Sequence, residues 1–267
     1  MQRVVTLVDD AGDTVRLAAP ARRIVSLNPV VTELLFSVGA GERLAGRTST
    51  CDYPPAAARI PSVGDWLPPN IEVVVARAPD LVILYQSPVT APAVARLRRL
   101  GIPAVAFRTD RLGDVSRLAR ALAPALGAGP AAARFAATHD SALAALRRTA
   151  RRDPARTVAL VAWNSPLTVL GAGSFLSEII ELAGAANAFG DIPFASAPVS
   201  LEALLARAPA LVLVTIGGGG APGHTRTLHL TDPALERPGP RVPAAVARLR
   251  RLLDSALAPV PHPETRR

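Results

Sequence analysis

The sequence predicts an α/β protein of two Rossmann-like lobes with central parallel sheets, joined by one long rigid α-helix. Three observations lead to this prediction. Short apolar strands alternate with helices, one long alanine- and arginine-rich segment interrupts the alternation, and the second half of the chain repeats part of the first. The 267 residues suit two lobes of ordinary size, at roughly 150 residues per domain.

The first half shows the alternation most clearly. A continuous apolar run is typical of a parallel strand that is buried on both faces, and a glycine directly after a periodic apolar segment indicates the end of a helix. The predicted elements are a strand at Arg23–Asn28, a helix at Val30–Val38, a strand at Leu81–Tyr85, a helix at Ala93–Leu100 and a strand at Ile102–Phe107.

The segment from Pro130 to Arg152 predicts a single helix, because it lacks glycine and opens with a proline suited to the first helical turn. The strand–helix pattern starts again at Thr157. We therefore expect an N-terminal lobe at 1–127, a connecting helix at 128–152 and a C-terminal lobe at 153–267. A stiff helix between the lobes favours a small rocking motion over a wide closure.

A repeat supports the two similar lobes. Residues 70–86 (NIEVVVARAPDLVILYQ) align with residues 200–216 (SLEALLARAPALVLVTI), and seven of the seventeen positions are identical. Two copies of one α/β unit predict a cleft between lobes, where small ligands most often bind.

Glu72 and Glu202 occupy equivalent places in this repeat. Each follows a good helix-capping residue by two positions, so each lies in a first helical turn where the helix dipole favours a carboxylate. The same two carboxylates could instead grip a partner that carries two equivalent basic pockets.

Composition excludes several classes of protein. Hydrophobic residues make up 49% and charged residues 19%, which is a globular composition. The single cysteine, Cys51, excludes a disulfide scaffold and a cysteine-rich zinc module. The net charge is +9 and every basic residue is arginine, but the arginines are scattered and aromatic residues reach only 4%, which disfavours nucleic-acid binding.

No catalytic motif is present: the sequence has no Gly-x-Ser-x-Gly, no Gly-x-x-x-x-Gly-Lys and no His-Glu-x-x-His. We assign no catalytic residue and no metal site. His139 shares a helical face with Phe135 and Leu143, which favours a packing role. The run Gly217–Gly220 favours a flexible loop over an anion cradle. An α/β enzyme that uses the interlobe cleft stays the alternative to a binding protein.

Large aromatic residues fall where strands or loops meet their turns. Several of them facing one cleft would make an apolar clamp for a large, flat ligand, although packing is the commoner role of such rings. The candidates are Tyr53, Trp66, Tyr85, Trp163 and Phe194.

Several short motifs, taken in order, resemble the substrate-binding proteins of bacterial ABC importers, in particular the helical-backbone group that carries cobalamin, haem and iron–siderophores. A Cys-Asp-Tyr-Pro-Pro motif followed by a tryptophan is most similar to the cobalamin-binding members. The motifs are Arg22–Phe36, Cys51–Pro55, Val63–Trp66, Asn70–Glu72, Ala78–Val82 and Arg237–Arg241.

The resemblance implies a monomer that binds its ligand between two lobes, has no resident cofactor, and docks onto arginines of a permease dimer through Glu72 and Glu202. It implies a periplasmic or extracytoplasmic location, although the first twenty residues lack the apolar core of a secretory signal and a cytoplasmic relative stays open. The sequence departs from the family in one respect: the members usually have a helix after the strand at 211–216, and here there is no room for it, so we expect a shortened second lobe. The implied ligand contacts are Trp66, Tyr85, Trp163, Phe194, Asp232 and Arg237.

Among the ligands of that group, the residues favour a corrinoid. Haem usually takes an axial His, Tyr or Met, yet Met1 is the only methionine and no histidine falls at a predicted strand end that faces the cleft. Anionic siderophores need a cleft lined with arginines, whereas the arginines here lie mostly on helices and in the tail. Haem and ferric siderophores remain the alternatives.

Overall fold

The computed structural model describes residues 4–150, 156–219 and 226–258. The helices in these ranges are α1 (Pro29–Ser37), α2 (Ile71–Val75), α3 (Ala91–Arg99), α4 (Asp114–Leu126), α5 (Gly129–Thr149), α6 (Phe175–Leu182), α7 (Leu201–Ala206) and α8 (Val242–Ala256). The strands are β1 (Val5–Val8), β2 (Thr14–Leu17), β3 (Ile24–Ser26), β4 (Leu44–Arg47), β5 (Leu81–Tyr85), β6 (Ala104–Phe107), β7 (Thr157–Asn164), β8 (Leu167–Leu170), β9 (Ala186–Asn187), β10 (Ser196–Pro198), β11 (Leu211–Val214) and β12 (Thr227–His229).

The chain divides into two compact units. The first contains residues 1–143 together with Arg237–Pro240, and the second contains residues 144–236 and 241–267. Helix α5 begins in the first unit and ends in the second, so the division falls inside a helix.

The first unit is organised around a parallel sheet of four strands in the order β4–β3–β5–β6. Leu81 and Ile83 of β5 join an apolar cluster with residues of α1 and α4, whereas Val82 and Leu84 join another with residues of α2 and α3. Helices therefore cover both faces of the sheet, which explains the continuous apolar run in β5.

An antiparallel hairpin, β1–β2, adds to the first unit and has no counterpart among the elements expected from the sequence. Two carboxylates at its turn fix it to helices. Asp9 is buried and lies 2.7 Å from the guanidinium of Arg98, and Asp10 lies 2.7 Å from that of Arg117. The pairing satisfies a carboxylate that would be costly to bury alone.

The second unit contains a mixed sheet in the order β10–β8–β7–β11–β12, with β9 also paired to β7. Strands β7, β9, β11 and β12 are parallel, but β8 and β10 are antiparallel to their neighbours. The second sheet therefore contains the expected parallel strands and is extended by two antiparallel ones. Only two residues separate β7 from β8, and so short a connection returns the chain antiparallel, because a parallel neighbour needs a crossover of about a dozen residues.

Helix α5 confirms the expected long helix but ends earlier, at Thr149 rather than Arg152. The Thr149 hydroxyl donates a hydrogen bond to the carbonyl of Ala145 at 3.1 Å and accepts one from Arg250 at 3.0 Å. Residues 151–155 lie outside the described ranges. Across the part of the chain that the structure covers, no helix is both long and apolar enough to cross a membrane.

The repeat is visible in the backbone of each unit. Asn70 caps α2 and Ser200 caps α7, in both cases by accepting backbone amides of the first turn. Ala78 and Ala208, which follow these helices at equivalent positions, both adopt a left-handed conformation, with φ of 45° and 42°. Similar sequences have thus produced similar local geometry.

No helix lies between β11 and β12 in residues 215–219 and 226, the described part of that connection, and this agrees with the expected shortening after 211–216. Gly217 and Gly219 have positive φ, as a turn of glycines allows. Gly220 lies outside the described ranges.

Candidate functional site

In the first unit the structure places two of the expected ligand residues, Trp66 and Tyr85, against each other. Tyr85 is the last residue of β5. Trp66 lies three residues after Val63, and the backbone amide of Val63 donates to the carbonyl of Arg47 at the end of β4. The two ring centroids are 6.3 Å apart and the ring planes are nearly perpendicular, at 88°. This edge-to-face pair lies at the carboxyl ends of parallel strands, where α/β proteins bind ligands.

Tyr85 is held by a chain of hydrogen bonds. Its hydroxyl donates to Asp110 Oδ1 at 2.5 Å. The backbone amides of Asp110 and Arg111 donate in turn to Asp114 Oδ2, at 2.9 and 3.0 Å, and Asp114 begins α4. Burial, followed by the hydrogen bond to the Asp110 carboxylate, raises the pKa of Tyr85 to about 12.

Arg237 is engaged inside the first unit. Its guanidinium lies 3.1 Å from the Asp52 carboxylate and 3.9 Å from that of Glu33, and it donates to the carbonyl of Thr50 at 3.0 Å. The side chains of Arg237 and Glu33 are only 14% and 2% exposed. Arg237 therefore connects α1 to the loop at residues 50–52, and its role as a ligand contact stays a prediction.

The second unit presents its two expected aromatic residues to solvent. Trp163, near the end of β7, is 55% exposed, and its indole N–H donates to the carbonyl of Ser165 at 3.0 Å. Phe194, in the loop before β10, is 70% exposed. Rings this exposed on a folded surface are available to a large apolar partner.

The loop that carries Phe194 is fixed by close backbone packing. The amides of Gly171 and Gly173 donate to the carbonyls of Ala195 and Phe194, at 3.2 and 3.1 Å. A Cβ atom on Gly173 would lie 2.5 Å from the backbone nitrogen of Ala195. These glycines thus allow two backbone segments to approach closely.

Asp232 also interacts with neighbouring residues of the protein. Its carboxylate accepts the amide of Ala234 at 3.0 Å and lies 2.6 Å from the guanidinium of Arg248 on α8. The structure therefore places Asp232 with Arg248 in the second unit and Arg237 with the carboxylates of the first.

A cavity of about 390 Å³ in the second unit was not foreseen from the sequence. It opens where β7 and β11 end, and its lining comes from four separate stretches of chain, so no local pattern could reveal it. Its apolar lining includes Ala162, Leu170, Phe175, Leu176, Ile216 and Leu230.

Glu72 and Glu202 are exposed in the first turns of α2 and α7. Hydrogen bonds from its own backbone amide and from the Ser200 side chain lower the pKa of Glu202. Both carboxylates are therefore accessible to a partner, and their docking role stays a prediction.

His139 is a packing residue. It is buried, its ring stacks on Phe135 with centroids 5.7 Å apart, and Nδ1 lies 3.1 Å from the Ser116 hydroxyl. Burial lowers the pKa of His139. In the described ranges, no three His, Cys, Asp or Glu side chains come together as a metal site. His224 and His262 lie outside those ranges.

Comparison with known proteins gives a consistent result. Residues 24–229 match the family model described as periplasmic binding protein. A vitamin B12-binding protein of Pectobacterium carotovorum subsp. carotovorum (strain PC1) is 30% identical over 203 residues, which cover 75% of this chain and 72% of that protein.

Two solved structures are also similar. The periplasmic haem-binding protein RhuT from Roseiflexus sp. RS-1, in apo form, has a TM-score of 0.78 and 28% identity, covering 89% of this chain and 100% of that one. The periplasmic vitamin B12-binding protein BtuF of Vibrio cholerae has a TM-score of 0.75 and 26% identity, covering 90% of this chain and 99% of that one. With the family model matching more than half of its length, this chain belongs to the periplasmic binding protein family, whose members capture solutes for ABC importers.

Proposed function

We propose that this protein captures a corrinoid and delivers it to the permease of an ABC importer. The observation that carries the proposal is the perpendicular Trp66–Tyr85 pair at the strand ends of the first unit. A corrinoid is a large macrocycle that needs broad apolar contact and few polar partners, and aromatic rings supply such contact at low entropic cost. Trp163 and Phe194, the aromatic candidates of the second unit, are 55% and 70% exposed.

Two other ligands of related proteins fit the residues less well. Haem usually takes an axial His, Tyr or Met. Of the two histidines in the described ranges, His139 is buried between α4 and α5, and His229, exposed at the end of β12, belongs to the second unit and not to the unit that holds the Trp66–Tyr85 pair. Arg237, the arginine expected at the site, already lies against Asp52 and Glu33, so it is not an open cation for an anionic siderophore. Relatives that are named for vitamin B12 binding add support for a corrinoid.

Fluorescence titration with cyanocobalamin tests this proposal, because Trp66 and Trp163 are the only tryptophans. We expect strong quenching after inner-filter correction. Trp66→Ala should weaken binding by roughly 1–3 kcal/mol, the scale for losing a large aromatic contact. Leu100→Ala, an exposed apolar residue after α3, is the matched control and should bind as the unmodified protein does. Unchanged emission up to tens of micromolar cyanocobalamin would refute the corrinoid assignment.

We also propose that docking uses Glu72 and Glu202 as one carboxylate from each repeat. Both are exposed and occupy equivalent helix positions, so two equivalent basic pockets on a permease dimer could bind them. Alanine at both positions should abolish transport in vesicles that contain the permease of the same host, while cyanocobalamin affinity stays unchanged. Glu42→Ala, another exposed glutamate, should transport normally. Normal transport by the double variant would show that the carboxylates serve only their helices.

The proposed role is binding without catalysis, by a monomer with no resident cofactor that works outside the cytoplasmic membrane. The family match supports it. Cyanocobalamin recovered after prolonged incubation should be chemically unchanged by chromatography and mass spectrometry. Sedimentation should give the mass of one 27.7 kDa chain, and fractionation of the host should find the protein outside the cytoplasm.

A further inference from the structure

The Tyr85 hydroxyl donates a hydrogen bond to a single carboxylate. It donates to Asp110 Oδ1 at 2.5 Å, a distance typical of a strong hydrogen bond from a hydroxyl to a carboxylate. Asp110 is itself held, because its amide and that of Arg111 both donate to the Asp114 carboxylate. The ring of Tyr85 is further positioned by its perpendicular contact with Trp66.

We infer that Asp110 determines the class of macrocycle that this site accepts: by holding Tyr85 as a hydrogen-bond donor, it keeps a neutral phenol for apolar contact and withholds the phenolate that would bind haem iron. This inference rests on the proposed function and goes beyond it, because it assigns selectivity to a residue that does not need to touch the ligand. Asp110 is thus a positioning residue.

The chemistry of the competing step supports the inference. If Tyr85 bound ferric haem, the phenolic O–H bond would break and an O–Fe bond would form, with the iron remaining ferric. A proton lost to solvent would leave a phenolate beside the Asp110 carboxylate, and two adjacent anions repel each other. A proton passed to Asp110 would move from a group of ordinary pKa about 10 to one of about 3.9. Both routes disfavour ligation.

The surroundings of the ring act in the same direction. Burial raises the pKa of Tyr85, and the negative charges of Asp110 and Asp114 raise it further, while Arg108 lowers it; the result is a pKa of about 12. Replacement of Asp110 by asparagine removes the nearest negative charge and offers an amide N–H that can donate to a phenolate. Asp110→Asn should therefore make Tyr85 a better ligand for iron.

Titrations with hemin and with cyanocobalamin test the inference. In a Tyr53→Phe background, where Tyr85 is the only phenol, the protein should show no phenolate-to-iron charge-transfer band with hemin, and addition of Asp110→Asn should produce one. The ratio of hemin affinity to cyanocobalamin affinity should rise by about 10-fold, because loss of the Asp110 charge lowers the pKa of Tyr85 from about 12 while burial keeps it above the ordinary value of about 10. Asp110→Asn combined with Tyr85→Phe is the control and should lose the band again.

Ionisation of the phenol gives a second readout that needs no ligand. The protein has two tyrosines, so Tyr53→Phe leaves Tyr85 as the only one. At about pH 10.5 the ultraviolet spectrum of that variant should show a neutral phenol, and addition of Asp110→Asn should raise the ionised fraction several-fold, although burial still holds the pKa of Tyr85 above its ordinary value. Circular dichroism on the same samples confirms that both are folded.

Two results would overturn the inference: a phenolate–iron band in the unmodified protein that Asp110→Asn removes, which would make Asp110 a base that promotes ligation, or no change in band and selectivity on that substitution. Failure of the unmodified protein to bind cyanocobalamin would refute the proposed function instead. The two failures are therefore distinguishable.

Discussion

The two units hold their exposed aromatic residues in different ways. In the first, the Trp66–Tyr85 pair is fixed by side chains, through the ring contact and the hydrogen bond from Tyr85 to Asp110. In the second, Phe194 is fixed by its backbone, which packs against Gly171 and Gly173 with no room for a Cβ atom. One substitution can change a hydrogen bond between side chains, whereas close backbone packing tolerates almost no substitution at the glycines that allow it.

This difference is confined to the ends of the strands. The scaffolds of the two repeats agree closely: Asn70 and Ser200 cap equivalent helices, and Ala78 and Ala208 share a left-handed backbone. Repeated sequence has therefore preserved the local folding signals, while the loops at the strand ends have diverged. Loops at strand ends are where a rigid scaffold usually carries its binding residues.

Gly173→Ala should destabilise the loop that carries Phe194, which is held by close backbone packing. The added Cβ atom would lie 2.5 Å from Ala195 N and 2.7 Å from the carbonyl oxygen of Pro193, so the two segments must separate. We expect the free energy of unfolding of the second unit to fall by about 3 kcal/mol, the upper range for overpacking. Chemical denaturation measures it.

Gly129→Ala is the control for this substitution, because nothing lies within 4 Å of a Cβ atom there and alanine favours the helix that begins at this residue. Its stability should be equal to or slightly above that of the unmodified protein. Equal stabilities for Gly173→Ala and Gly129→Ala would contradict the idea that close backbone packing holds Phe194.

Much of the first unit could be predicted from local patterns. Strand β5 has the predicted bounds, and α1 and α3 differ from prediction by one or two residues at their ends. Apolar runs and terminal glycines report secondary structure because they act over a few neighbouring residues. The repeat likewise placed Glu72 and Glu202 correctly at the starts of two helices.

The remaining features depend on residues far apart in the chain. Nothing near Tyr85 indicates Asp110 as its partner. Tyr85 ends one apolar strand and Asp110 comes three residues after the end of the next, which is the one signal that could have linked them. The antiparallel direction of β8 is equally hidden, because Leu167–Leu170 is as apolar as a parallel strand would be. Pairing direction came from the short turn, not from the strand itself.

Lowering the pH should destabilise the first unit more than the second, because the first contains the buried His139. Burial lowers the pKa of His139 in the folded state, although the Asp140 charge opposes the shift, so the unfolded chain binds the proton more readily. The stability that neutral His139 contributes is complete above about pH 6.5, the ordinary value, and is lost as the pH falls from there through the folded pKa.

Denaturation at a series of pH values between about 8 and 4 measures this contribution, whose slope is at most about 1.4 kcal/mol per pH unit for one proton. His139→Gln should flatten the dependence for the first unit. His229→Gln, which changes an exposed histidine of the second unit, should leave it unchanged. An identical slope in the unmodified protein and His139→Gln would show that this histidine is not responsible.

The smallest expected effect tests whether the two repeats are energetically as well as geometrically alike. Ala78 and Ala208 have φ of 45° and 42°, and a left-handed backbone costs a residue with a Cβ atom about 1–2 kcal/mol. Glycine removes that strain but gains conformational freedom in the unfolded chain, which offsets about 0.4–1 kcal/mol. Each of Ala78→Gly and Ala208→Gly should therefore stabilise its own unit by about 0.5 kcal/mol, as measured by denaturation.

Ala76→Gly, at the αR cap of the same α2 helix, is the control and should destabilise. A gain at one repeat and a loss at the other would show that the matching backbone angles conceal different local packing.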